Sequence, residues 1–185
     1  TSGSLRLGLS KSPRVLRYQA LKPAPCHPPV MNTLGNRMII KNSVKNRLII
    51  FLAQGLGAGR IPVAPGTFGT LVGLPIVWIL WNFNPLIYVA ITGLLIAFSI
   101  WIAGRAASFQ GTHDDPKIVI DEIAGIVVAL AWMPPSAIAL AAGFILFRLL
   151  DIIKPPPINW IDRRVKGGLG IVLDDLIAGL GANLV

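Results

Sequence analysis

Acidic residues are scarce in this 185-residue chain and absent from its first 113 residues. Eight Asp and Glu stand against 17 Lys and Arg, and all eight lie between Asp114 and Asp175. The single cysteine, Cys26, excludes an internal disulfide framework and a cysteine-based metal site. Charged residues make up only 14% of the chain, hydrophobic residues make up 54%, and the mean hydropathy is +0.68. This composition excludes an ordinary soluble domain and indicates an integral membrane protein.

The positive charge of the chain belongs to its N-terminal part. Nine of the 17 basic residues fall within positions 1–47, and the eight that follow balance the eight acids. A nucleic-acid-binding protein would spread basic residues and aromatics over a folded face, so we expect no nucleic-acid partner. The basic excess favours a cytoplasmic N-terminus. We expect residues 1–46 to form a basic, disordered leader or tail and residues 47–185 to form a membrane-embedded domain.

A long charge-free segment follows the basic part. Between Arg60 and Arg105 lie 44 residues without a charge. One membrane-spanning helix needs about 20 apolar residues, so this segment accommodates two. The sequence WNFNP at 81–85 separates them, because Asn and Pro favour a turn. We predict helices over roughly 68–82 and roughly 85–104.

The next charge-free segment, 123–147, allows two arrangements. One helix of 25 residues would be about 37 Å long. Alternatively, two short helices turn at MPPS (133–136). The hairpin is favoured because adjacent prolines remove two backbone donors, which is unfavourable in the middle of a bilayer and harmless at a turn. It also keeps both acidic stretches on the inner side. With a last helix from about 171 to 185, the sequence predicts an all-α, polytopic membrane bundle of short helices with two polar loops on the cytoplasmic side.

The carboxylates lie in two polar stretches, HDDPKIVIDE at 113–122 and DIIKPPPINWIDRRVKGGLGIVLDD at 151–175. Ionisable residues in such an apolar chain are unfavourable unless they serve a function, and carboxylates most readily hold a divalent cation. Asp121 and Glu122 adjoin an apolar helix and suit Mg²⁺ held by one or two carboxylates, waters and a substrate phosphate. Asp115 is equally compatible with a structural loop charge.

Basic residues accompany the second stretch. Arg148, Asp151 and Lys154 recur at three-residue intervals near a predicted helix end, so they share one face. Arg148 suits a bidentate contact to phosphate, with Lys154 as a second charge; snorkelling to the membrane surface is the alternative. The glycines of KGGLG (166–170) would let backbone N–H groups approach an anion before the last helix. Arg164 is also compatible with a contact to anionic lipid headgroups.

The Gly- and Pro-rich segment GLGAGRIPVAPGTFGT (55–70) enters the first long helix. It matches no nucleotide-binding fingerprint, because no strand precedes it and no GK[ST] follows. A phosphate-facing loop that uses Arg60, Gly66 and Thr67 and a simple tight loop at the helix entry explain it equally well.

Four segments together resemble the phosphatidylglycerophosphatase A family: APGTFGT (64–70), HDDPKIVIDE, FRLLDIIKPPPINWIDRRVKGGLGIVLDD and AG (178–179). The resemblance runs over about residues 50–180. It implies a multi-pass enzyme of the bacterial plasma membrane whose active site faces the cytoplasm. With Mg²⁺, such an enzyme removes the terminal phosphate of the phospholipid phosphatidylglycerophosphate and yields phosphatidylglycerol. Pro156 departs from the resemblance, because an aromatic residue is usual there.

The resemblance also implies a set of site residues. We assign their roles from the type of each residue. Expected ligands of Mg²⁺ are Asp121, Glu122, Asp174 and Asp175. Expected to bind the substrate phosphate are Arg148, Lys154 and Arg163. Expected catalytic carboxylates, one of which orients or deprotonates water, are Asp114, Asp151 and Asp162. The alternative function is a membrane divalent-cation transporter or channel, which would place its carboxylates inside spans and away from basic residues.

Overall fold

The structure is a computed structural model that describes residues 44–111 and 115–185. Helices and turns account for these residues, and no strand occurs among them, which confirms the all-α prediction. A 3₁₀ segment, Gly55–Arg60, follows the first helix. The helices are α1 (44–53), α2 (Pro65–Leu80), α3 (Pro85–Gln110), α4 (Ile120–Ala129), α5 (Ala137–Ile153), α6 (Ile158–Arg164) and α7 (Gly167–Leu184). Helix α1 includes residues 44–46, on the tail side of the predicted domain boundary.

Local sequence signals set several helix ends. Both α2 and α3 begin with a proline, whose missing N–H is not needed at that position. The side chain of Asn84 accepts a hydrogen bond from the Ile87 N–H at 2.9 Å, which caps α3. Helix α3 continues beyond the predicted end at 104, because arginine is a good helix former and Arg105 does not interrupt it. It ends at Gly111, which adopts a left-handed conformation with φ 69°.

Segment 123–147 is a hairpin, as predicted, since α4 and α5 are separate helices joined by a turn at 130–136. The Ser136 side chain accepts a hydrogen bond from the Ala139 N–H at 3.1 Å and caps α5. Two other helices hold the turn. The Trp81 indole donates to the Leu130 carbonyl at 3.1 Å, and the Asn183 amide donates to the carbonyls of Ala129 and Ala131 at 3.0 and 2.8 Å.

The central helix of the fold is α4, and α2, α3, α5 and α7 pack around it. Eight of its ten residues are buried. Its contact with α7 depends on two glycines. A Cβ on Gly179 would lie 2.4 Å from the carbonyl oxygen of Gly125, and a Cβ on Gly125 would lie 3.0 Å from the carbonyl oxygen of Asp175. The two missing side chains therefore let the backbones of α4 and α7 approach closely, as small residues do between membrane helices.

Two described helices, α3 and α7, are long and apolar enough to cross a membrane. Only 22% of the most apolar window of α3 is buried, and large residues such as Leu86 and Leu94 are exposed along it. A helix that is apolar all round and exposed needs an apolar solvent. The architecture is therefore that of a membrane-type helical protein.

Both polar stretches lie at the same end of the helices. At that end α2, α4 and α7 begin, and α3 and α5 finish. A Cβ on Gly66, at the start of α2, would meet Glu122 of α4 and Arg148 of α5. The turns at 81–84 and 130–136 meet at the opposite end.

The start of the last helix differs from the prediction, because α7 begins at Gly167 instead of near 171. Its glycines pack against neighbouring backbone: a Cβ on Gly168 would lie 2.1 Å from the Ile100 carbonyl oxygen. This packing outweighs the low helix propensity of glycine. The glycines therefore form the first turn of α7, and Asp174 and Asp175 lie about two turns inside the helix.

Candidate active site

Three carboxylates from two helices meet at the polar end. Asp121 and Glu122 belong to the first turn of α4, and Asp175 comes from α7. One oxygen atom of each lies within 4.8 Å of the other two. Asp121 and Asp175 are buried, with 8% and 4% of their surface exposed. Several negative charges this close together in an apolar setting repel one another unless a cation lies between them.

The carboxylate oxygens themselves fit a cation. Among the described residues, Glu122 Oε2, Asp174 Oδ1 and Asp175 Oδ2 are buried and have no hydrogen-bond partner. A buried polar atom without a partner is unfavourable, and a buried unpaired charge is more so. Oxygen ligands without sulfur or imidazole are the set that Mg²⁺ takes. The residues present are therefore compatible with a divalent cation of this kind.

Arg148 reaches into the carboxylate group from α5. Its Nη1 lies 2.6 Å from Asp151 Oδ2 and 4.0 Å from Glu122 Oε1. Only 14% of its side chain is exposed, so the side chain does not snorkel outwards. Its Nε is buried without a partner. Asp151 also lies beside Asp175, so it joins the arginine to the three clustered carboxylates.

Lys154 connects three helices. It adopts a left-handed conformation, φ 45°, directly after α5. Its Nζ donates to Asp174 Oδ2 at 2.6 Å and to Asp162 Oδ1 at 3.1 Å. Burial disfavours the ammonium charge, but the hydrogen bonds and charges of the two carboxylates outweigh it and raise the pKa of Lys154 above its usual value. Asp174, predicted as a metal ligand, is therefore paired with Lys154 through one oxygen, and its other oxygen remains without a partner.

The remaining predicted positions lie apart from this cluster or outside the described residues. Asp162 is at its edge, attached through Lys154. Arg163 is exposed on α6, and no described carboxylate lies within ion-pair distance of it. Asp114 lies outside the described residues. Asp115 has a structural role, because its Oδ1 accepts a hydrogen bond from the Lys117 N–H at 3.0 Å.

The start of α2 is close to the site. A Cβ on Gly66 would lie 2.2 Å from Glu122 Oε1 and 3.2 Å from two guanidinium nitrogens of Arg148. This position favours the phosphate-facing interpretation of the APGTFGT segment. Arg60 does not take part, because its Nε donates to the Gln54 amide oxygen at 2.8 Å.

No sequence motif points to the glycines that position the carboxylates. A Cβ on Gly125 would lie 3.0 Å from the Asp175 carbonyl oxygen, so this glycine sets the distance between α7 and the first turns of α4. A glycine within each of two apolar helices was the sequence signal that could have predicted this contact, because small residues are typical of close helix contacts in membranes.

The fold and the site define a membrane-type helical protein with a buried carboxylate group and basic side chains at one end of its helices. Comparison with known sequences narrows this class. The profile of the phosphatidylglycerophosphatase A family matches residues 51–185. The chain belongs to the phosphatidylglycerophosphatase A family.

Three curated relatives illustrate the family. The phosphatidylglycerophosphatase A of Escherichia coli is 40% identical over 147 residues, which cover 76% of this chain and 85% of the relative. The phosphatidylglycerophosphatase A of Haemophilus influenzae is 35% identical over 152 residues, which cover 81% of this chain and 93% of the relative. A protein of Bacteroides thetaiotaomicron, provisionally named phosphatidylinositol-3-phosphatase, is 34% identical over 143 residues. These residues cover 72% of this chain and 87% of the relative. No solved structure matches the chain. None of these relatives is named as a transporter or channel, so that alternative has no support.

Proposed function

We propose that this chain is a phosphatidylglycerophosphatase that hydrolyses the terminal phosphomonoester of phosphatidylglycerophosphate. The supporting observation is the carboxylate group of Asp121, Glu122 and Asp175, which has unpartnered oxygens and lies beside Arg148. Family membership supplies the substrate, because two relatives carry the name of this activity. The carboxylates and the basic residues that this reaction would use lie at the same end of the helices.

The carboxylates of Asp121, Glu122 and Asp175 would hold Mg²⁺, and the free Oδ1 of Asp174 is available beside them. A bound Mg²⁺ would supply positive charge that neutralises the phosphate oxygens. In this proposal the four residues have the roles expected from the sequence, with Asp174 in a secondary position because Lys154 already occupies its Oδ2.

The basic residues supply the remaining positive charge. Arg148 is held by Asp151 and has a buried Nε without a partner, so it can donate further hydrogen bonds to a phosphate. The raised pKa of Lys154 keeps it protonated, so it acts as a fixed charge and not as a proton donor. Charges fixed before the substrate arrives stabilise the transition state without reorganisation.

The attacking water requires an acceptor for its proton. Asp151 is the described carboxylate best placed for this role, because it adjoins both Arg148 and Asp175. Water forms a bond to phosphorus, its proton passes to the carboxylate, and the bond from phosphorus to the glycerol oxygen breaks. The glycerol oxygen takes a proton from solvent and leaves as an alcohol. Asp162 and Asp114 remain further candidates for the catalytic carboxylate.

We also propose that the protein is a multi-pass protein of the bacterial plasma membrane, with the active site facing the cytoplasm. Helices α3 and α7 are long enough to span, and both polar stretches lie at one end of the fold. The basic residues before position 47 favour the cytoplasmic side for the N-terminus.

Phosphate release tests this function directly. Purified protein in detergent should release phosphate from phosphatidylglycerophosphate when Mg²⁺ is present, and EDTA should abolish the release. Glu122→Gln and Asp175→Asn should each lower kcat/KM by about 100-fold or more, since even outer-shell changes at metal sites cost about 10- to 100-fold. Asp115→Asn is the matched control, because Asp115 belongs to a loop, and it should leave the rate near that of the wild type. Metal-dependent turnover that survives in Glu122→Gln would remove the metal assignment.

A further inference from the structure

The short helix α6 borders a surface cavity that the proposed chemistry leaves unused. The cavity has a volume of about 530 Å³, which lies within the range of about 300–1,000 Å³ that is typical of small-ligand sites. It is lined by Pro156, Asn159, Trp160, Arg163 and Arg164. An amide, an indole and two guanidinium groups in one cavity are suited to an anion.

Among the described residues, neither arginine of this cavity forms an ion pair with a carboxylate. No carboxylate of the described residues lies within ion-pair distance of Arg163 or Arg164. The neighbouring acid, Asp162, directs its Oδ1 to Lys154 instead. The guanidinium carbon of Arg164 lies 4.5 Å from the centroid of the Trp160 ring. A stacked guanidinium is held in place while its N–H groups at the edge stay free to bind phosphate oxygens.

Helix α6 links the cavity to the carboxylate site. Asp162 precedes Arg163 directly in α6 and is bonded to Lys154, whose Nζ also contacts Asp174. Two sites that attract anionic oxygens are therefore linked through Asp162 and Lys154: the carboxylates, once they hold a cation, and the arginines. Phosphatidylglycerophosphate carries two phosphates joined by a glycerol: a terminal monoester, which is hydrolysed, and an inner diester, which is not.

We infer that the cavity of Trp160, Arg163 and Arg164 binds the inner phosphodiester of the substrate while the terminal monoester occupies the carboxylate site. This inference rests on the proposed function and adds the source of its headgroup selectivity. Phosphatidic acid has a single monoester and no inner diester, so it gains nothing from this cavity. The two arginines therefore make the enzyme prefer phosphatidylglycerophosphate to phosphatidic acid. Arg163, expected to hold the reacting phosphate, takes the inner phosphate instead.

Selectivity kinetics test the inference. In Arg164→Gln and, independently, Arg163→Gln, the ratio of kcat/KM for phosphatidylglycerophosphate to that for phosphatidic acid should fall about tenfold or more, mainly through KM. This is the loss expected for one hydrogen bond to a charged group. Arg105→Gln is the matched control, because Arg105 is another exposed arginine beside an aromatic ring, 5.9 Å from Phe109, and it should leave the ratio unchanged.

The outcomes are distinct. An unchanged ratio in both cavity variants overturns the inference. Equal losses on the two substrates also overturn it, since they would indicate general attraction to anionic lipid. A wild-type protein that releases no phosphate from phosphatidylglycerophosphate would refute the proposed function and this inference with it. A wild type that is active, with variants that keep its preference, refutes the inference alone.

Discussion

Lys154 has a larger structural role than its place at a helix end suggests. It follows α5, yet its ammonium group contacts Asp162 of α6 and Asp174 of α7. Asp174 is buried, so its charge depends on this partner. One side chain therefore fixes the relative positions of three helices that surround the site.

Removing this ammonium group should destabilise the protein. Lys154→Met leaves Asp174 buried without its cation, and we expect the free energy of unfolding to fall by about 2 kcal/mol, below the value for fully buried pairs because Lys154 is partly exposed. Unfolding in mixed SDS and detergent micelles measures the change. Lys117→Met, at an exposed position, is the control. The double variant Lys154→Met, Asp174→Asn should recover part of the loss; no loss in the single variant would show that Asp174 does not need Lys154.

Residue types predicted much of the candidate site, but not which of two adjacent acids faces the cluster. Asp121, Glu122 and Arg148 are recognisable because charged residues are rare in an apolar chain. Asp174 and Asp175 differ only by one step along a helix, about 100° of rotation. The rotation of α7 follows from its tertiary packing, which a single sequence does not reveal.

At the scale of elements, the close contact between α4 and α7 brings the carboxylates together. It depends on Gly125 and Gly179, each of which faces a neighbour that a side chain would displace. The sequence predicted the hairpin of α4 and α5, because Pro134, Pro135 and Ser136 carry a local signal. It did not predict the start of α7, because the glycines there are used for packing against α3, a contact between distant segments.

Separating these two helices should weaken the fold and the proposed metal site together. A Cβ in Gly179→Ala would lie 2.4 Å from the backbone oxygen of Gly125, which cannot move aside as a flexible side chain would. We expect the free energy of unfolding to fall by about 1–3 kcal/mol and Mg²⁺ affinity to fall with it. Unfolding and metal titration measure both.

Gly93→Ala is the matched control, because a Cβ at that position of α3 would meet nothing within 4 Å. This variant should be as stable as the wild type or slightly more stable, since alanine favours a helix. Equal stability of the Gly179 and Gly93 variants would contradict the importance of the close contact.

At the scale of the whole molecule, the helices alternate in direction so that every described acid lies towards one end. The positions 81–84 and 130–136, at the other end, carry no charge. This separation gives the protein a polar face and an apolar remainder, which suits a bilayer with the site at one surface.

Labelling of introduced cysteines should confirm this arrangement. In a protein whose native Cys26 is replaced by serine, single cysteines at Lys117 and Lys166 should react with a membrane-impermeant maleimide from the same side, because both exposed residues lie at the polar end. A cysteine at Phe83, in the opposite turn, should react from the other side. Labelling of the 117 and 166 positions from opposite sides would exclude a shared polar face.

The depth of Asp175 within α7 also affects the surrounding lipid. It lies eight positions after Gly167, a rise of about 12 Å along the helix. With α7 upright in the bilayer, a headgroup that reaches Asp175 must descend past the first turns of the helix, and its hydration shell descends with it. We therefore expect a local depression of the membrane surface around the protein, into which substrate lipids diffuse sideways.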